Sequence, residues 1–241
     1  KFFKPLDFSK VKTYPAKKRF SKVQTVALGR VIPRGSQVRS FIEGLPDILA
    51  AQSLKTIASK IAQTHTANRT VLLGMGAHPI KVGLSPLIID FMERGIIDAV
   101  ALNGAGIIHD FELAFMGETS EDVAASLKDG SFGMAEETGA FINQAITEGS
   151  TQGLGIGASV GQAIVAARLK HQRLSILATA ARIGIPITAH IAIGTDIIHM
   201  HPKADGKALG YGSLRDFRTL TCVVATLGNG VYLNFGSAVI L

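Results

Sequence analysis

Only one cysteine occurs in the 241 residues, Cys222. An intramolecular disulfide is thereby excluded, and the chain fits a reducing, cytoplasmic compartment. Long apolar runs are missing as well. Hydrophobic residues make up 47% and the mean hydropathy is +0.30, yet no uninterrupted stretch reaches the roughly 18 to 20 residues that a membrane-spanning helix needs. The longest candidate, residues 185–198, is broken by Pro186, His190, Gly194 and Asp196. So apolar a chain without a span is what strands buried on both faces of a parallel sheet produce. Internal repeats and low-complexity segments are absent. Acids are scarce at the front, where eight basic residues from Lys1 to Lys22 face the single acid Asp7, so that the first 22 residues carry the whole net charge of +7. The remainder is neutral. No apolar segment follows the basic one, so it is not a signal peptide. Such an arm reads as solvated or as wrapping a second subunit, rather than as a nucleic-acid contact.

What is present fits one large α/β domain. We expect a basic arm over residues 1–38 and a single nucleotide-binding domain over 39–241. The final residues, Gly236 to Leu241, are apolar without a polar tail, and the chain is expected to continue beyond them.

Residues 96–117 organise the rest. β-branched Ile96, Ile97 and Val100 lead into Asn103-Gly104-Ala105-Gly106, after which Ile107, Ile108, Phe111, Leu113 and Ala114 recur at helical spacing. Strand, glycine turn and helix follow one another. A turn of this kind lets a ligand's phosphate or ribose approach the backbone, with the first helical N–H groups pointing at it. Elsewhere the pattern predicts strands over 23–28, 70–73, 185–193 and 230–235. Helices are predicted over 41–65, 84–94, 134–148, 174–182 and 213–227, with Thr119-Ser120-Glu121-Asp122 as a further helix start. Strand 70–73, helix 84–94 and strand 96–103 make a right-handed βαβ unit with parallel strands. Gly153-Leu154-Gly155-Ile156-Gly157-Ala158 matches a dinucleotide fingerprint formally, but a helix and a polar link precede it, where the fingerprint requires a strand. Its small residues suit close helix packing instead.

The predicted fold is a doubly wound, mostly parallel, Rossmann-like α/β sheet, whose ligands bind beyond the carboxyl ends of the strands. Four strand ends carry suitable residues: Gly74-Met75-Gly76-Ala77-His78, Asn103 to Gly106, Gly194-Thr195-Asp196, and Gly236-Ser237. Together they outline a cleft for an extended ligand with phosphates and riboses, for which a dinucleotide is the natural candidate.

Val100 to Gly106 followed by Asp110 resembles the threonine-alanine-glycine-glycine turn of deoxyhypusine synthases. The segment before it, with Gly83 in its loop, is similar to the same family's strand, loop and helix. Ile185-Pro186 leading to Thr195-Asp196 resembles that family's proline-started strand, and Cys222 through Gly236 resembles its following helix and strand. The likeness runs in order over about residues 40 to 241. It implies a Rossmann-like fold that binds NAD, in tetramers with active sites at dimer interfaces. The reaction it implies oxidises spermidine by hydride transfer and moves the aminobutyl group, through an imine on a lysine, to a lysine of a translation factor. Carried over by position, NAD contacts fall on Ala77, His78, Asn103, Gly104, Ala105, Asp196, Gly236 and Ser237, with Gly76, Gly106 and Thr195 completing the same turns.

The resemblance breaks at two places. Ile108 and His109 stand where the family has two glutamates, and Ile197 to His201 replaces a stretch with a second aspartate. A polycation needs carboxylates in a desolvated site, so the acids for a polyamine are expected to be missing. The imine-forming lysine would lie beyond Leu241; Lys81 and Lys207 have no particular claim to that role.

Histidines arrive where acids are lost. His109, Asp196, His199 and His201 are the candidates for acid–base work beside a hydride transfer. His190, Asp196, His199 and His201 also have the composition of a zinc or iron site, which would make the chain a metal-dependent hydrolase or lyase. The favoured reading is instead that His190 points into the core and the other two are loop histidines near an anionic ligand. A dinucleotide-binding protein without catalysis is the remaining alternative.

Overall fold

The structure is a computed structural model that describes residues 2–236. Contacts divide it into two compact units that meet between Ser59 and Lys60. In the first, residues 2–37 form neither α-helix nor strand and carry short 3-10 turns at Ala16–Lys18 and Thr25–Ala27. The strand expected over 23–28 is therefore a turn, for which its apolar residues find no partner strand. Helix α1 (Val38–Gly44) and helix α2 (Leu49–Thr66) replace the single helix expected over 41–65. Leu45, extended at φ −58° and ψ 149°, precedes Pro46, and a residue before proline is driven out of the helical region.

From Lys60 onward the chain builds a sheet flanked by helices. Strand β1 (Val71–Met75) leads through α3 (His78–Lys81) and α4 (Ser85–Glu93) to β2 (Ala99–Asn103). There follow α5 (Gly104–Met116), α6 (Val123–Ser126), α7 (Glu136–Thr151), α8 (Ile156–Ala166), α9 (Ile176–Ile183), β3 (Ile187–His190), α10 (Gly206–Ala225) and β4 (Val231–Phe235). All three strand pairings are parallel, in the order β3-β2-β1-β4. The chain steps outward from β1 to β3 and then returns to the other side of β1, which makes the doubly wound arrangement and places the switch in strand order between β1 and β4.

Period-two alternation sorts the strands' side chains into two layers. Leu73, Met75, Val100, Leu102, Ile187 and Ala189 join the main core with residues of α4, α5, α7, α8 and α9, while Leu72, Ala99 and Ala101 meet Leu220, Val223 and Leu227 of α10 and the turn after it. Small residues make close packing possible. A Cβ at Gly157 would stand 2.5 Å from the Ile187 carbonyl oxygen and one at Gly161 2.5 Å from that of Leu177, so Gly157 and Gly161 are packing residues.

Two buried aspartates tie helices to this frame. Asp110 of α5 accepts from Ser175 Oγ at 2.5 Å, Ile176 N at 2.7 Å and Leu177 N at 3.1 Å, closing the start of α9. Asp216 of α10 accepts from Gly157 N at 3.0 Å and from Ala189 N on edge strand β3 at 2.8 Å. Burial pushes both carboxyls up to about 6, against the hydrogen bonds that hold them down.

Candidate functional site

Because the sheet is all parallel, the carboxyl ends of the four strands share one edge. The ends of β1 and β4 touch: a Cβ at Gly236 would lie 2.9 Å from Pro79 Cδ and 3.8 Å from His78 Cβ. The ends of β2 and β3 touch as well, because a Cβ at Gly104 would overlap the Asp196 carboxylate. Gly76, Ala77 and His78 thus neighbour Gly236, and Asn103 to Gly106 neighbour Asp196. Ser237 lies outside the described residues.

Asn103 caps α5, its Oδ1 accepting from Gly106 N at 2.9 Å. One of the N–H groups expected to face a ligand is therefore already used, and the Asn103 amide keeps its Nδ2 donor. Asp196 is held by Ala192 N, which donates to Oδ2 at 2.9 Å.

Between the β2 and β3 turns opens a cavity of about 260 Å³ whose wall includes Lys81, Ala105, Ile108, His109, Glu112, Ser120, Glu121, Phe132, Thr195 and Asp196. Of the four catalytic candidates, His109 and Asp196 line it. Two further carboxylates line it from other positions: Glu112 lies one turn beyond His109 on the same helix, and Glu121 stands on the following loop. Thr119 Oγ1 lies 2.6 Å from His109 Nδ1 and donates to Glu112 Oε2 at 2.5 Å, and Thr138 Oγ1 donates to Glu112 Oε1 at 3.3 Å. Burial raises the Glu112 carboxyl, but the neighbouring His109 and the hydrogen bond from Thr119 outweigh it and hold the group below its usual range. The direct His109–Glu112 separation is 3.7 Å, too long for a hydrogen bond, so the coupling passes through Thr119.

The other histidines are dispersed. His201 is buried, its Nε2 3.2 Å from Glu136 Oε2 and its Nδ1 accepting from Lys203 N at 3.2 Å. His190 bonds Thr188 Oγ1 at 2.9 Å, and burial lowers its pKa. Both ring nitrogens of His199 are buried without a partner. His199 and His201 fall in and just after a 3-10 turn, Ile197–Met200, instead of an extended segment that would align their rings. Among the described residues no group of three histidine, cysteine or acidic side chains is arranged to hold a metal ion, which removes the geometric basis for the metal-dependent alternative.

In the sequence Thr119 reads as part of a helix start and Glu112 as an acid in the first part of a helix, and neither reading pairs it with His109. Glu112, three residues after His109, shares its helical face, and that spacing is the available signal. Thr119 reaches His109 only because Gly117, at φ +81°, ends α5 and reverses the chain.

No family model and no curated protein matches this chain. Among solved structures, the arginine dihydrolase ArgZ of cyanobacteria is 16% identical over 78% of this chain, with a TM-score of 0.51. This chain spans about 25% of ArgZ's length, and at that identity the likeness establishes the α/β fold alone. A LOR/SDH-type protein of Methanococcus maripaludis is 16% identical, with a TM-score of 0.43 over 83% of this chain and 52% of its own. An Entamoeba histolytica protein described as a candidate deoxyhypusine synthase is 17% identical, with a TM-score of 0.36 over 50% of this chain and 41% of its own.

Proposed function

We propose that this chain is an NAD-dependent enzyme of the deoxyhypusine synthase type, oxidising a small cationic amine of the polyamine class as the first half of an aminoalkyl transfer. The observation that carries the proposal is the cavity of about 260 Å³ at the carboxyl edge of the sheet, which joins the Asn103–Gly106 turn and Asp196 to His109, Glu112 and Glu121. A parallel doubly wound sheet binds its ligands at this edge.

Small residues and backbone donors at the turns fit a dinucleotide, and a Cβ at Gly194 would meet open space. Asn103 Nδ2 offers a donor to a phosphate, and the Asp196 carboxylate offers an acceptor to ribose hydroxyls. The cavity lies below the roughly 300–1,000 Å³ of drug-sized sites. It suits the reacting end of the ligands, with the body of the dinucleotide along the open strand ends. Bound NAD supplies the acceptor for a hydride.

The protein's part is electrostatic and protolytic. Glu112, Glu121 and Asp196 attract an ammonium group and offset its desolvation. His109 takes the proton that the amine nitrogen releases as its electron pair forms the C=N bond, while the hydride leaves the adjacent carbon. Lys81, in the cavity wall, is the described lysine nearest to that chemistry. Transfer through a lysine imine rests on the family resemblance.

The test is NADH formation from NAD with putrescine, spermidine and 1,3-diaminopropane. Oxidation that collapses in His109→Gln supports the proposal. Formation of NADH from none of the amines, or at an unchanged rate in the variant, contradicts it; NAD binding without turnover would identify a binding protein instead.

A further inference from the structure

Thr119 stands between the two groups that this chemistry uses. Its Oγ1 is 2.6 Å from His109 Nδ1 and 2.5 Å from Glu112 Oε2. A hydroxyl has one proton to donate and lone pairs with which to accept. Glu112 is held in its ionised form, so it accepts only, and Thr138 Oγ1 pins its second oxygen at 3.3 Å. The Thr119 proton therefore belongs to Glu112. Thr119 is left to accept from His109, and the hydrogen between them belongs to Nδ1.

We infer that Thr119 is a positioning residue whose relay to Glu112 fixes neutral His109 with its proton on Nδ1, leaving the lone pair on Nε2. The inference rests on the proposed oxidation for its catalytic meaning, since a ring nitrogen that is to take a substrate proton must carry a lone pair. A histidine's tautomer is set by the hydrogen bond its other nitrogen makes. Here the carboxylate acts through a hydroxyl rather than directly, because His109 and Glu112 are 3.7 Å apart.

The loop is shaped to hold this bond. Ser120 stands at φ +73°, a conformation that residues other than glycine adopt at a cost, and its backbone N–H also serves Glu112. Two segments thus converge on a carboxylate that α5 supplies: the loop through Thr119 and Ser120, and α7 through Thr138. Threonine or serine meets the requirement at 119; valine keeps the shape and removes both functions of the hydroxyl.

The test is ¹⁵N correlation spectroscopy of the histidine rings in the full chain, in alkaline solution and without cofactor or substrate. The wild type and Thr119→Ser are expected to show His109 with a protonated Nδ1 and a pyridine-like Nε2, whereas Thr119→Val loses that preference. In the amine oxidation, Thr119→Val is expected to lower kcat about 100-fold, the lower end of what positioned acid–base groups contribute, with KM little changed and Thr119→Ser restoring the rate. A wild-type His109 protonated on Nε2, or a Thr119→Val ring that keeps the wild-type tautomer, overturns the inference. Because the spectrum needs no substrate, absence of NADH from every amine would sink the proposed oxidation alone, and a wrong tautomer would leave NAD binding standing.

Discussion

The Asp196 carboxylate lies over the α-carbon of Gly104, in the space that any side chain at that position would claim. The turn after β2 and the loop after β3 are thereby locked together, and the cavity sits in the angle between them. Gly104→Ala is expected to displace Asp196 and weaken NAD binding about tenfold, roughly 1.4 kcal/mol. Calorimetric titration of both proteins with NAD checks this, with the unfolding midpoint as the control for folding.

Glu112 separates charge from geometry. Glu112→Gln keeps an oxygen to accept from Thr119 but removes the negative charge facing the cavity. A rise in KM for a diamine of about tenfold or more is expected, larger for a doubly charged amine than for a singly charged one. Steady-state kinetics across an amine series at fixed NAD measures it. Equal effects on both amines would deny Glu112 its part in holding the ammonium.

Asp110 and Asp216 give the fold a definite pH response. Burial raises both carboxyls from 3.8 to about 6, so between those values the folded state binds protons that the unfolded state releases. Their contribution to stability is complete below pH 4 and is lost as pH rises through 6. Urea unfolding at intervals from pH 4 to 7 is expected to show this decline, and Asp110→Asn and Asp216→Asn to flatten it, each at a lower overall stability. A variant with an unchanged pH slope would remove that aspartate from the explanation.

Gly157 tests the packing of α8 on β3. A methyl group there would press on the Ile187 carbonyl at 2.5 Å, backbone against which nothing can rotate away. Gly157→Ala is expected to destabilise the chain by about 1–3 kcal/mol. At Gly206 a Cβ would meet open space, and Gly206→Ala is expected to stay within roughly 0.5 kcal/mol of the parent. Denaturant unfolding of both variants makes the comparison.

The sheet was legible because its strands are short apolar runs closed by glycine turns, and the turns at Gly76, Gly104, Gly194 and Gly236 do reach one edge. Residues 153–158 were also legible, since a preceding helix excluded the dinucleotide fingerprint. The split between α1 and α2 depended on Pro46, whose effect on Leu45 outweighed the apolar periodicity running past it. The spacing of His199 and His201 does not say how their rings lie, because the segment coils into a 3-10 turn. The acids of the cavity were hidden for a related reason. The family resemblance puts carboxylates at 108 and 109, whereas Glu112 reaches the cavity from one helical turn later and Glu121 from the loop that follows.

NAD binding is the most direct test. Titration of the purified chain with NAD, followed by calorimetry and by the unfolding midpoint, is expected to give saturable binding that raises the midpoint and is lost in Asp196→Ala. A midpoint that does not move at millimolar NAD, or that rises equally in Asp196→Ala, would contradict a cofactor site at the joined ends of β2 and β3.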